Sequence, residues 1–156
     1  MKGNEKVIQK LDELLADELT AIMQYVVHSE MCANWGYDRL HDAVEKRAVS
    51  EMRHAEALIA RILFLEGKPT VTRLNAVRIG QTVEEQLKAD LDAEHDAVRR
   101  YNEGVRLADE LCDTVTRHLL EDIAKQEDEH VDWIEAQLDQ IAHMGLPMYL
   151  SMQTGK

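Results

Sequence analysis

Apolar residues recur along this chain with the period of a helix, and the recurrence breaks only where glycine, proline or a capping residue stands. From Glu5 to about Trp35, Val7, Ile8, Leu11, Leu14, Leu15, Leu19, Ile22, Val26 and Met31 form one stripe, and Gly36 offers a stop. A second stripe, from about Asp38 to Glu66, carries Leu40, Val44, Met52, Ala55, Ile59, Ile62 and Leu63 and ends at Gly67, with Pro69 beyond. Residues 67–81 hold no sustained stripe, and Thr82 with Glu85 reads as a capping box opening a third helix over about 83–109. A fourth helix is predicted over about 113–144, with Gly145 as its stop, and Pro147 opens a short fifth segment over about 147–153.

No linker interrupts this pattern, so residues 1–156 are expected to form one all-α domain. The connection between the second and third helices is about 15 residues. At roughly 3.3 Å per residue it can run the ~45 Å length of a 30-residue helix. Those two helices can therefore lie parallel, with the first and second, and the third and fourth, as antiparallel hairpins. The expected fold is an antiparallel four-helix bundle with a long crossover and a short fifth C-terminal helix.

Composition agrees with helix: there are seven Gly, two Pro and one Phe, while Leu, Ala, Glu, Asp and Met are plentiful. A formal charge of -12 and a pI near 4.9 disfavour nucleic acid and anionic membrane surfaces as partners, and favour cations. The opening MKGNEKVIQK lacks an apolar signal core, and no apolar run approaches the roughly 20 residues that span a bilayer. The expected location is cytoplasmic. Cys32 and Cys112 lie 80 positions apart and form no CxxC pair, which suits reduced, partly buried thiols.

The chemistry lies in a repeat. Glu18 is followed 33 residues later by Glu51-Met-Arg-His54, and Glu94 is followed 33 residues later by Glu127-Asp-Glu-His130, so the chain repeats with an offset of 76. Tyr25 and Tyr101 obey the same offset, each two turns beyond its lone Glu. The midpoint of Glu18 and Glu51 falls at the first hairpin turn, and that of Glu94 and Glu127 at the second. Each hairpin therefore sets a Glu level with a Glu-x-x-His whose i and i+3 side chains share a face. Packing the hairpins together puts four carboxylates and two imidazoles at mid-bundle, a costly arrangement unless cations neutralise it. Two Fe²⁺ balance four Glu anions and two neutral His, and oxidation to two Fe³⁺ with one oxide leaves that total unchanged. One Glu-x-x-His is a weak signal in so acidic a chain, but two copies with matched partners are specific. The arrangement is also the recognised signature of di-iron and di-manganese bundles, so the reading matches a known pattern as well as following from charge.

The segments MKG, DELTAIMQY, NWG, SEMRHAE, RILFLEGKP, DEHVDWIE and MGLPMYL make the whole chain resemble the bacterioferritins, the haem-containing ferritin family. The resemblance implies a ferritin-like fold in a homo-oligomeric shell of 24 subunits. It also implies a ferric mineral inside, and haem b shared one per two subunits at twofold interfaces for electron transfer in iron release, with a ferredoxin-type reductant. It implies a di-iron ferroxidase centre, using peroxide or dioxygen, on Glu18, Glu51, His54, Glu94, Glu127 and His130, with Glu51 and Glu127 bridging. It places the haem ligand on Met52, which by itself reads as core or interface filler; about 100° around the helix from Glu51, it can face a neighbouring subunit.

Asn34, Glu66, Asp132 and Asp139 match channel residues of the family, and Tyr25 matches a tyrosine beside its metal site, a match Tyr101 lacks. Glu45 stands where relatives carry an aromatic residue. Lys46 and Ser50 stand where they carry His and Asp that hold iron on the inner surface, so no inner iron site is expected here. A rubrerythrin-like peroxidase or di-iron oxygenase would use the same six ligands, although rubrerythrin's extra iron domain needs paired CxxC motifs. Structural zinc also accepts these ligand types.

Overall fold

The computed structural model describes residues 1–155 and has five helices: α1 Glu5–Asn34, α2 Asp38–Phe64, α3 Val83–Glu110, α4 Thr114–Met144 and α5 Leu146–Ser151. The ferritin-like four-helix bundle with its crossover and short fifth helix is what the pattern predicts, and the departures lie at helix ends. α2 stops two residues before its predicted end, and the left-handed residue there is Glu66 at φ 64°, not Gly67. Gly67 is needed for closeness instead, because a Cβ would lie 2.6 Å from Ile8 Cγ2 and 2.9 Å from Ile62 Cγ2. The α3–α4 turn likewise places Cys112, not a glycine, at φ 57°, and leaves its thiol exposed while Cys32 is buried. Asp113, expected inside α4, is its cap: its carboxylate accepts from Thr116 N at 3.1 Å and pairs with Arg61 of α2 at 3.0 Å. Thr82 caps α3, but Glu85 reaches back to Gln81 N at 2.7 Å, one residue beyond the usual box partner.

α1 packs along α2 and α3 along α4, and the hairpins meet through α1 with α3 and α2 with α4. Two apolar clusters fill the ends of the bundle. One holds Leu11, Leu14, Leu15, Leu58, Ile62 and Leu120; the other holds Leu40, Leu87, Ile134, Ile141 and Tyr149. Tyr149 anchors α5 to this second cluster and donates its hydroxyl to Gln137 Oε1 at 2.8 Å. Between the clusters sits a polar layer. Three members of the predicted stripes, Val26, Met52 and Leu63, are exposed rather than buried.

The crossover, residues 65–82, is held by a second stripe along α1, this one polar. Asp12 accepts from Thr70 N at 2.7 Å, Thr20 Oγ1 from Asn75 N at 2.8 Å, Gln24 Oε1 from Arg78 N at 3.1 Å, and His28 Nε2 from Gly80 N at 3.0 Å. Because His28 Nε2 accepts, its Nδ1–H donates to Asp90 at 2.9 Å, and Gln24 donates to the same oxygen at 2.8 Å. Backbone donors of a segment without regular structure thus find partners on α1, and the same two side chains tie α1 to α3. A Cβ on Gly80 would lie 2.4 Å from Gln86 N and 2.6 Å from Glu85 C, which are rigid backbone atoms. Gly80→Ala is therefore expected to destabilise the fold by about 1–3 kcal/mol, as overpacking does, with helical content retained. Thermal unfolding followed by circular dichroism measures this, and an unshifted midpoint would show that the crossover is not seated there.

Candidate metal centre

The polar layer is built from four helices: Glu18 on α1, Glu51 and His54 on α2, Glu94 on α3, and Glu127 and His130 on α4. All four glutamates are 2% exposed or less, and both histidines are buried. Two donor sets form: Glu18, Glu51, His54 and Glu127 offer ligand atoms within 4.8 Å of one another, and so do Glu51, Glu94, Glu127 and His130. Glu51 and Glu127 belong to both sets, so they lie between two cation positions. His54 Nδ1 lies 2.8 Å from Glu127 Oε1, and His130 Nδ1 lies 3.1 Å from Glu51 Oε1. The two imidazole rings face each other with centroids 6.2 Å apart.

One oxygen of each terminal glutamate, Glu18 Oε2 and Glu94 Oε2, is buried without a hydrogen bond, and Glu51 Oε1 and Glu127 Oε1 meet only a histidine Nδ1. Such oxygens are expensive, and a pair of hard cations would satisfy them. Protons do the neutralising otherwise. Burial, then the charge of Glu51, holds Glu18 well above the usual carboxylate range. Burial, then the neighbouring Glu127, pushes Glu94 up to about 7. Burial would raise Glu51 too, but hydrogen bonds with Glu18, His130 and His54 bring it down to about 2. Burial opposes charge on both histidines, yet contact with Glu127, Glu18 and Glu51 lifts His54 far above its ordinary value. Glu127, Glu51 and Glu94 likewise lift His130 to about 10.

Outside the ligand atoms, contacts run crosswise between the hairpins. The Tyr25 hydroxyl on α1 donates to Glu94 Oε1 on α3, and the Tyr101 hydroxyl on α3 donates to Glu18 Oε1 on α1. His54 Nε2 meets Gln126 Oε1 at 2.9 Å, and His130 Nε2 meets Ser50 Oγ at 3.4 Å. Ser50, read from sequence only as inner surface, is thus a neighbour of His130. Gln126 was not singled out from sequence at all, although it stands 76 positions after Ser50 and the repeat would have pointed to it. Between α1, α3 and the crossover, a cavity of about 190 Å³ runs past Ala21, Ala93 and Ala97 to Glu18, Glu51, Glu94 and Glu127.

The remaining sequence candidates do not join this cluster. Met52 is 40% exposed, and Met23 and Val26 of α1 and Val49 of α2 are exposed too. Glu45 is exposed and lies 3.6 Å from His41, and Lys46 is exposed. Asn34, Glu66, Asp132 and Asp139 are all exposed.

The ferritin-like domain family matches residues 8–144 of this chain. The chain is 42% identical over 149 residues to bacterioferritin BfrA of Mycobacterium tuberculosis (strain ATCC 25618 / H37Rv), covering 96% of this chain and 94% of that protein. It is 41% identical to a bacterioferritin of Mycobacterium leprae, with the same coverage. It is also 40% identical to one of Rhodobacter capsulatus, covering 93% of this chain and 90% of that one.

Because their carboxylate neighbours hold His54 and His130 well above the usual imidazole range, divalent cations entering this layer should displace protons from both. Proton release is expected on Zn²⁺ binding at pH 7, and affinity should fall as pH is lowered. Calorimetry in buffers of different ionisation heat counts the protons; binding with no proton release would contradict this charge state.

Proposed function

The chain belongs to the ferritin family and, within it, to the bacterioferritins, and on that premise we propose that it stores iron by oxidising Fe²⁺ at the layer formed by Glu18, Glu51, His54, Glu94, Glu127 and His130. The observation that carries this is the pair of donor sets sharing Glu51 and Glu127, each with buried carboxylate oxygens left without a hydrogen bond. Carboxylate and imidazole donors suit Fe²⁺ before and after loss of an electron, because hard oxygens stabilise the higher charge. Glu18 and His54 complete one position, and Glu94 and His130 the other. Glu51 and Glu127, reachable from both, hold the two ions close enough for one oxidant molecule, peroxide or dioxygen, to take an electron from each. The flanking cavity gives Fe²⁺ and oxidant a path past small alanines to all four carboxylates.

The storage reading further proposes a closed shell of 24 copies in the cytoplasm, with iron deposited inside as ferric mineral and later released by a ferredoxin-type reductant. No described helix is long and apolar enough to cross a membrane. Exposed Met52 offers a thioether, and the exposed apolar residues Met23, Val26 and Val49 on the same two helices would give a porphyrin apolar contact. Two copies meeting there would supply one Met52 each to a shared haem b, and the haem would carry electrons for iron release.

Rapid mixing after anaerobic Fe²⁺ addition tests the centre. Wild type should oxidise about two Fe²⁺ per subunit in a fast phase. Glu127→Ala should slow that phase by more than the roughly 10–100-fold typical of losing a ligand's outer partner, with helical content unchanged. A wild-type fast phase in the variant would remove the assignment. Light scattering should report a large closed oligomer; a monomer or dimer at all concentrations would remove the storage reading. Met52→Leu keeps volume but deletes the sulfur, so haem binding should disappear while iron oxidation survives. Unchanged haem ligation in that variant would clear Met52 of the role.

A further inference from the structure

The geometry points to Tyr101 as a positioning residue for one cation position, paired with Tyr25 at the other, each hydroxyl fixing the orientation of a terminal glutamate's carboxylate. This rests on the two-cation reading above and adds a division of labour within it.

Tyr101 is fully buried, and its hydroxyl donates to Glu18 Oε1, while Glu18 Oε2 is the buried oxygen left without a partner. Tyr25, 2% exposed, does the same across the layer: it donates to Glu94 Oε1, and Glu94 Oε2 is the oxygen left free. The terminal torsion of a glutamate is broad and nearly two-fold, so a carboxylate without such a contact turns freely between its two oxygens. A phenol pinned by the surrounding core removes that freedom. The bonded oxygen also stays beside the histidine of its own donor set: Glu18 Oε1 lies 3.6 Å from His54 Nδ1, and Glu94 Oε1 lies 3.3 Å from His130 Nδ1. The phenols remain protonated, and so remain donors, because burial and the adjacent carboxylates disfavour phenolate.

Both contacts cross from α1 to α3, Tyr25 outward from the first hairpin and Tyr101 back from the second. A mere tie between hairpins would serve both cation positions alike. Positioning is local: the Tyr101 hydroxyl bonds Glu18 and the Tyr25 hydroxyl bonds Glu94.

Anaerobic titration with Co²⁺, a redox-inert visible probe, separates these roles. Wild type should bind two Co²⁺ per subunit. In a His130→Ala background only the Glu18–His54 position keeps its donors, and in His54→Ala only the Glu94–His130 position does. Tyr101→Phe should weaken Co²⁺ about tenfold in the first background, as loss of a ligand's outer partner does. In the second it should weaken binding much less, because Glu18 is not a donor at the Glu94–His130 position. Tyr25→Phe should give the mirror image, and both changes preserve ring volume in a packed core. Equal weakening of both positions by either variant, or no weakening by Tyr101→Phe in the first background, would overturn the inference while leaving the two-cation reading intact. Failure of wild type to bind two Co²⁺ would overturn both.

Discussion

Four buried carboxylates in two overlapping groups that share Glu51 and Glu127 are the constraint to which the rest of this structure answers. Burial raises the energy of each charge, and each neighbour raises it further. The chain meets this with positive charge: protons on His54 and His130, whose hold on protons the carboxylates strengthen, or cations in their place. Breaking such a layer by removing one counter-charge would strand the others, so the glutamates and histidines stand or fall as a set. The two apolar clusters above and below the layer do the work of folding. They hold the backbones rigid enough that a destabilised layer persists at the centre.

The repeat of 76 residues extends beyond the ligands. Each hairpin supplies three of the six ligand residues, and each also supplies the partners for ligands of the other. Tyr25 and Ser50 serve Glu94 and His130; Tyr101 and Gln126 serve Glu18 and His54. Neither hairpin alone completes a cation position, since both donor sets draw on Glu51 and Glu127 together. The twofold relation is imperfect where Ser50 faces Gln126: the serine contact is 3.4 Å and the glutamine contact 2.9 Å, so His54 is held more firmly than His130.

α1 carries three duties on three faces. Its apolar stripe joins the core, its polar stripe at Asp12, Thr20, Gln24 and His28 receives the crossover, and a third face leaves Met23, Val26 and Val27 exposed. The crossover has no regular structure, so its backbone donors depend on that polar stripe; without it the parallel path from α2 to α3 would leave buried donors unpaired. The exposed apolar face has no partner within the chain, as expected of a surface that meets another copy.

Much of this was legible in the residues alone. Apolar periodicity fixes the helices, because burial of one face is a property each segment carries by itself, and the paired Glu and Glu-x-x-His with their midpoints at the turns place the six ligand residues at one level. What tertiary structure decided is what depends on atoms from distant segments meeting. Periodicity counted Val26, Met52 and Leu63 as core, yet all three are exposed, because a helix can carry apolar residues on more than one face and only packing says which is covered. Glycine marked the end of α2, but Glu66 makes the left-handed turn, while Gly67 is there for the close approach of Ile8, a residue 59 positions away. The repeat marks Tyr101 beside Tyr25 and Gln126 beside Ser50, but not which group each meets. Their partners appear only when α3 lies against α1 and α4 against α2, since a hydrogen bond between hairpins is fixed by their relative placement.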